Sequence, residues 1–280
     1  MTPDNSLQDT ENEDLEILLL LEGMFRKYGY DFRDYSKAHL RRRIRYRLTS
    51  SKLDTVSAMI HRMLYDQGFF ETLLRDLSIN VTEMFRDPAI YATIRNDIIP
   101  FLKTYPFIKV WHAGCATGEE VYSMAILLHE EGLLPRSQIY ATDFNQSALD
   151  QAKKGIFPLA SIKQYTTNYQ KSGGREAFSD YYTAGDNEVI LPGWLKQQIV
   201  FADHNLVTDA VFSEVNLVVC RNVLIYFNRE LQNKIFQTFY DSLCDGGFLW
   251  LGSKESLRLS PLAEKFEAIF PDSKIYKKRF

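Results

Sequence analysis

The chain has 280 residues, 45% hydrophobic and 14% aromatic, which supplies apolar side chain for a sizeable core and about two domains. Its formal net charge of −3 and isoelectric point near 6.0 leave no global pull toward nucleic acid or anionic lipid. Three cysteines, Cys115, Cys220 and Cys244, fit no metal-ligand spacing and cannot all pair within one chain, which points to a reducing cytoplasm. The five histidines are scattered and suggest no metal site.

Residues 1–14 are acidic and polar, without apolar periodicity, and read as a flexible tail. The apolar run Ile17 to Leu21, fenced by Glu16 and Glu22, is too short to span a membrane and lacks the basic start of a signal peptide, so no membrane insertion is expected. Over residues 15–77 apolar side chains recur at helical spacing, as in Leu40, Ile44 and Leu48, and predict a small helical domain. The same stretch carries a basic run. On a helix Leu40, Ile44 and Leu48 form a buried seam, flanked by Lys37, Arg41 and Arg45 on one side and by Arg43 and Arg47 on the other. A charge run of this kind is by itself a solvated face. Nucleic acid is a poor partner for it, because the chain is acidic overall and no aromatic stacking set lies nearby.

Residues 78–107 form a linker and a first helix, with Pro88 suited to that helix's opening position. From 108 to 280 short apolar runs alternate with helical segments. Candidate strands are 109–112, 138–142, 198–201, 215–220, 248–252 and 274–278; candidate helices are 119–130, 146–154 and 229–243. This alternation predicts an α/β domain with a doubly wound, Rossmann-like sheet. Between 157 and 196 Gly, Pro and Tyr punctuate short segments, which reads as an inserted small antiparallel β-subdomain.

In open α/β sheets ligands bind beyond the carboxyl ends of the strands. After the first strand comes Gly114-Cys-Ala-Thr-Gly118, feeding a helix that opens with Glu119 and Glu120. A helix N-terminus attracts anions, yet two carboxylates there repel phosphate and suit a ligand with hydroxyls and positive charge. S-adenosylmethionine, with its sulfonium and ammonium, is such a ligand. After the second strand Asp143 can accept both ribose hydroxyls, and after the fourth Asn222 can bond the cofactor while Tyr226 can reach the reacting centre. In the 78–88 junction Arg86 suits a carboxylate, with Asn80 and Thr82 as neighbouring donors. Each feature alone has a structural explanation, as a turn, an N-cap or a surface ion pair. Together they favour a nucleoside-containing ligand, and a dinucleotide fold is disfavoured because G-x-G-x-x-G is missing.

Six motifs resemble the CheR-type chemotaxis receptor glutamate methyltransferases: Asn80–Pro88, Gly114–Ser123, Ala141–Asp143, His204–Leu206, Cys220–Phe227 and Gly246–Ser253. The resemblance implies a helical N-terminal domain (15–77), a methyltransferase domain (108–280) and the inserted β-subdomain (157–196). It implies S-adenosylmethionine contacts at Asn80, Thr82, Arg86, Gly114, Glu119, Asp143, Asn205, Leu206, Asn222 and Val223, with S-adenosylhomocysteine as product. Arg86 and Tyr226 would lie closest to the transferred methyl. It implies that Arg41, Arg43, Arg45 and Arg47 face an acidic receptor coiled coil, and that the protein is a monomer acting on the cytoplasmic domain of chemotaxis receptors.

Val121 stands where the family usually has proline, Met84 where an aromatic is common, and Asp180 where a basic residue commonly precedes the aromatic pair Tyr181-Tyr182. The last departure bears on substrate-side contacts rather than on cofactor binding. Two other readings stay open at this level: a methyltransferase acting on a small molecule or another protein, and a non-catalytic signalling adaptor.

Overall fold

The computed structural model describes residues 3–78, 82–209, 211 and 213–279. It divides into two compact units, Met1–Ile79 with Tyr226–Gln232, and Asn80–Ile225 with Asn233–Phe280.

The first unit is helical: α1 (Pro3–Tyr28), α2 (Lys37–Ser51), α3 (Val56–Tyr65) and α4 (Gln67–Leu77). Thr55 and Asp66 start α3 and α4 by accepting from Ala58 N at 3.1 Å and Phe69 N at 3.0 Å, the side-chain capping that satisfies an orphan N–H. Leu20, Met24, Ile44, Met59, Met63 and Leu73 are fully buried at its centre, and Tyr28 stacks on Phe70 at 3.6 Å. The segment from Tyr226 joins this unit through a bridge between Tyr35 and Phe227. One sequence expectation is corrected here. The stretch 1–14 is not a loose tail over its described part, because α1 begins at Pro3. A polar segment extends a helix at little cost once the apolar turns beyond it have nucleated one, and Ile17, Leu20, Leu21 and Met24 supply those turns.

The second unit begins with α5 (Pro88–Thr93) and α6 (Ile99–Leu102), joined by a π-turn over Ile94–Ile98. Pro100 has no N–H to give the helix, and the ladder shifts just before it, with Ile99 N bonding Ile94 O. The core then alternates β1 (Ile108–Ala113), α7 (Glu119–Glu130), β2 (Ser137–Asp143) and α8 (Gln146–Lys154). The insertion follows with β3 (Ile156–Pro158), α9 (Ile162–Lys171), β4 (Thr183–Ala184), β5 (Glu188–Ile190) and α10 (Gly193–Lys196). The chain closes through β6 (Ile199–Asp203), β7 (Val215–Cys220), α11 (Arg229–Ser242), β8 (Leu243–Leu251), β9 (Phe266–Phe270) and β10 (Ile275–Lys278).

Seven strands form one mixed sheet in the order β6-β2-β1-β7-β8-β10-β9, with the first five parallel and β10 antiparallel to both neighbours. β7 is buried at every residue, as expected of a central parallel strand covered on both faces. Strand order reverses between β1 and β7, and this switch point, beyond the carboxyl ends of the two strands, is where an open α/β sheet forms its ligand crevice. The insertion carries the antiparallel sheet β3-β5-β4, as the glycines and tyrosines predict. It also holds α9, which sequence reading left out because its exposed face is polar and its buried face is built from Ile162, Tyr165, Asn168 and Tyr169.

Candidate active site

The crevice between β1 and β7 is shaped by backbone conformations that glycine and a few polar residues tolerate. Gly114 sits at φ +78°, and a Cβ there would stand 2.6 Å from Val223 Cγ2, so the turn after β1 and the turn after β7 touch. Gly118 is left-handed as well and caps α7, whose first turn presents Glu119 and Glu120. Asn222 is itself left-handed, at φ 61°.

Asp143 holds this crevice from the β2 side. Its Oδ2 accepts from Ala116 N and its Oδ1 from Asn145 N, both at 2.9 Å, and Phe144 N is a third main-chain donor to the carboxylate, which still leaves it acceptor capacity. Burial pushes its carboxyl above the usual aspartate range, against the pull of those N–H groups. His204 N donates to Asp143 O at 3.2 Å, which brings the turn of Asn205 and buried Leu206 to the same strand end. The Asn205 side chain is engaged in that turn, accepting from Val207 N at 3.0 Å.

The adjacent glutamates behave oppositely. Glu119 is 6% exposed and receives Thr117 Oγ1 at 2.6 Å and Tyr165 OH at 3.5 Å; burial raises its pKa. No salt bridge reaches it among the described residues. Burial would raise Glu120 too, but Arg221 and His112 outweigh it and lower its pKa. Arg221 Nη1 lies 2.6 Å from Glu120 Oε2, and Nη2 lies 2.5 Å from Asp87 Oδ2. Glu120 is therefore one arm of an ion cluster built around the buried Arg221 guanidinium.

That cluster also places Arg86. Arg221 Nη1 donates to Arg86 O at 3.3 Å, while Phe85 N donates to Ser123 Oγ at 2.9 Å and Asn168 Nδ2 to Met84 O at 3.0 Å. Phe85 and Asp87 are both left-handed, so the backbone around half-buried Arg86 is held by contacts rather than by its own preference. Thr82 is half-buried at the start of this loop, and Asn80 lies outside the described residues. Sequence reasoning passed over Glu255, whose buried carboxylate collects the N–H groups of Asn222, Val223, Leu224 and Gly252. Its signal was an acid shortly after a strand end, at Gly252-Ser-Lys-Glu255.

Thus Gly114, Glu119, Asp143, Leu206, Asn222 and Val223 are gathered within the second unit, with Arg86 tethered to them through Arg221. Tyr226 and the arginines of α2 belong to the first unit. Tyr226 O accepts from Ser36 N at 2.7 Å, and its ring meets His39 edge-on at 5.5 Å. Arg41 pairs with Asp14, Arg45 grips Glu13 with two bonds of 2.7 and 2.6 Å, and Arg47 pairs with Asp76. Arg43 Nε is buried with no hydrogen-bond partner among the described residues.

The family model "CheR methyltransferase, SAM binding domain" matches residues 80–274, and "CheR methyltransferase, all-alpha domain" matches residues 15–78. The chain belongs to the CheR methyltransferase family. It is 52% identical to the Pseudomonas putida protein Cher3 over 95% of its own length and 98% of that protein's. It is 30% identical to a chemotaxis protein methyltransferase of Listeria innocua, over 83% of this chain and 86% of that one. It is 31% identical to chemotaxis protein methyltransferase 1 of Vibrio cholerae, over 70% and 77%. The CheR chain therefore uses S-adenosylmethionine, and its crevice fits that cofactor on three counts. Glu119 is a poorly solvated carboxylate without a paired cation, Asp143 has free acceptor capacity, and Asn222 Oδ1 is buried without a partner among the described residues.

Proposed function

We propose that this CheR-family protein esterifies glutamate side chains of chemotaxis receptors with the methyl group of S-adenosylmethionine, releasing S-adenosylhomocysteine. The observation that carries the reading is the buried Glu119, without a salt bridge among the described residues and following the turn that Asp143 holds, in a chain similar to chemotaxis protein methyltransferases over four fifths of its length. The cofactor supplies an electrophilic methyl on a sulfonium. The protein's part is to bind, orient and exclude water.

An acceptor glutamate, with an ordinary pKa of about 4.3, is already an anion at neutral pH, so no residue is needed to remove a proton. Moving a methyl from a sulfonium to a carboxylate oxygen would break a C–S bond, form a C–O bond and cancel both charges, which a crevice poor in water favours over the solvated ions. Asp143 and Asn222 would hold the nucleoside and Glu119 would face positive charge, with Arg86 and Tyr226 assigned to the transferred methyl; in-line alignment would supply the rest. The α2 arginines are assigned to the acidic receptor helices. No described helix is long and apolar enough to cross a membrane, and the receptor's cytoplasmic domain is the part such a protein would meet.

Tyr169, Tyr181 and Arg175 N of the insertion converge on Glu130, at one end of α7, and Tyr165 reaches Glu119 at the other, so the insertion is held along the length of that helix. Asp180, in the place of a basic residue, is exposed beside buried Tyr181. Incubation with labelled S-adenosylmethionine and receptor cytoplasmic fragments should yield a base-labile methyl ester on glutamate. A base-stable label, or label on a small molecule only, would overturn the assignment.

A further inference from the structure

Glu255 is 4% exposed and has no salt-bridge partner among the described residues, yet it is not an orphan. Its Oε2 accepts from Asn222 N at 3.1 Å and Gly252 N at 2.5 Å, and its Oε1 accepts from Val223 N at 2.9 Å and Leu224 N at 2.8 Å. Four main-chain donors on one buried carboxylate stand in for solvent. They also specify its shape, because an ionised carboxylate is all acceptor, whereas an amide would turn an N–H₂ toward two N–H groups.

The three consecutive donors Asn222, Val223 and Leu224 form the turn that leaves β7. Asn222 is left-handed there, a conformation that asparagine tolerates better than most side chains, and its N–H is held on Glu255. Val223 in that turn abuts Gly114, and Asn222 Oδ1 stays buried with no described partner. Gly252 leaves no room to spare on the other side, since a Cβ there would stand 2.8 Å from both Asn222 N and Glu255 Oε2.

We propose that Glu255 is a positioning residue for S-adenosylmethionine: its carboxylate gathers the main chain of residues 222–224 and sets the Asn222 and Val223 contacts against the Gly114 turn. This rests on the reading of Asn222 and Val223 as cofactor contacts. Glu255 touches neither cofactor nor acceptor; it acts through the turn it holds.

The test uses the full chain, titrated calorimetrically with S-adenosylhomocysteine, with steady-state kinetics on a receptor fragment. Glu255→Gln and Gly252→Ala disturb the same clamp from its two sides. Both should raise Kd for S-adenosylhomocysteine and KM for S-adenosylmethionine about tenfold or more, with binding stoichiometry near one and KM for the receptor fragment unchanged. Lower melting temperature and stoichiometry with a wild-type Kd would make Glu255 merely structural and overturn the proposal. Should Glu255→Gln not fold, Gly252→Ala decides on the same criteria. Asn222→Ala and Val223→Ala separate the two levels. If they weaken the ligand while both clamp variants do not, only the role of Glu255 falls; if all four bind as wild type, the contact reading falls with it.

Discussion

Arg221 and Glu120 form an ion pair of 2.6 Å in which the guanidinium is wholly out of solvent. The same guanidinium lies 4.6 Å over the Trp250 ring, reaches Asp87, and donates to Arg86 O. One side chain thus joins the strand end of β7, the first turn of α7 and the loop that carries Arg86.

Breaking such a pair strands a buried charge. Arg221→Met should destabilise the protein by about 3–5 kcal/mol, seen as a fall in melting temperature of roughly 10 °C. Adding Glu120→Gln should restore much of that loss, because the carboxylate it leaves unpaired is removed. Arg221→Lys should recover less, since one ammonium cannot span both carboxylates.

Glu119 predicts a pH dependence. Its pKa in the folded, ligand-free protein is raised by burial, and the proposed contact with the cofactor's positive charge requires it ionised. Affinity for S-adenosylmethionine should therefore fall as pH is lowered through a range above the ordinary glutamate value, and Glu119→Gln should be weak at every pH. For folding the sign is the reverse. A raised pKa contributes stability that is present at low pH and lost as pH rises, so ligand-free Glu119→Gln should melt no lower than wild type at neutral pH. Titration calorimetry across pH and thermal melts check both.

Gly114→Ala should cost about 1–3 kcal/mol and weaken cofactor binding, because the new methyl meets Val223 at 2.6 Å on a backbone at φ +78°. Gly132→Ala separates the two effects. Gly132 is also left-handed, at φ +69°, but a Cβ there meets nothing within 4 Å, so stability should drop with cofactor affinity intact.

The α2 arginines should act on the receptor alone. Arg43→Glu and Arg47→Glu are expected to raise KM for receptor fragments and leave S-adenosylmethionine affinity unchanged, with the effect shrinking at high salt. Arg43→Glu is the cleaner variant, since Arg47 is held by Asp76 with both side chains largely buried. Arg45→Ala breaks an exposed pair with Glu13 and should cost under about 1 kcal/mol of stability. An unaltered receptor KM for Arg43→Glu would refute the docking role.

Tyr226→Phe should lower turnover while sparing cofactor affinity. A rate equal to wild type would remove Tyr226 from the neighbourhood of the reacting methyl.

The amino-acid sequence by itself determined what local chemistry can determine. β7 and the helices α7 and α8 lie where their apolar spacing and flanking Gly, Asn and Glu residues predict, because those signals are read within a turn or two of chain. The glycine turn with its two glutamates named the ligand class for the same reason: charge at a helix N-terminus is a local fact. The tertiary structure decided which residue does what. β9 was not anticipated, and α1 starts at Pro3, where a tail had been expected. Glu119 and Glu120 are neighbours of one type, yet only the fold places Arg221, 101 residues away, beside one of them and leaves the other without a cation among the described residues. Likewise the four donors on Glu255 include three that lie 31 to 33 residues away. Burial and charge pairing are set by which strands become neighbours, and in a sheet ordered β6-β2-β1-β7-β8-β10-β9 those neighbours are far apart in sequence.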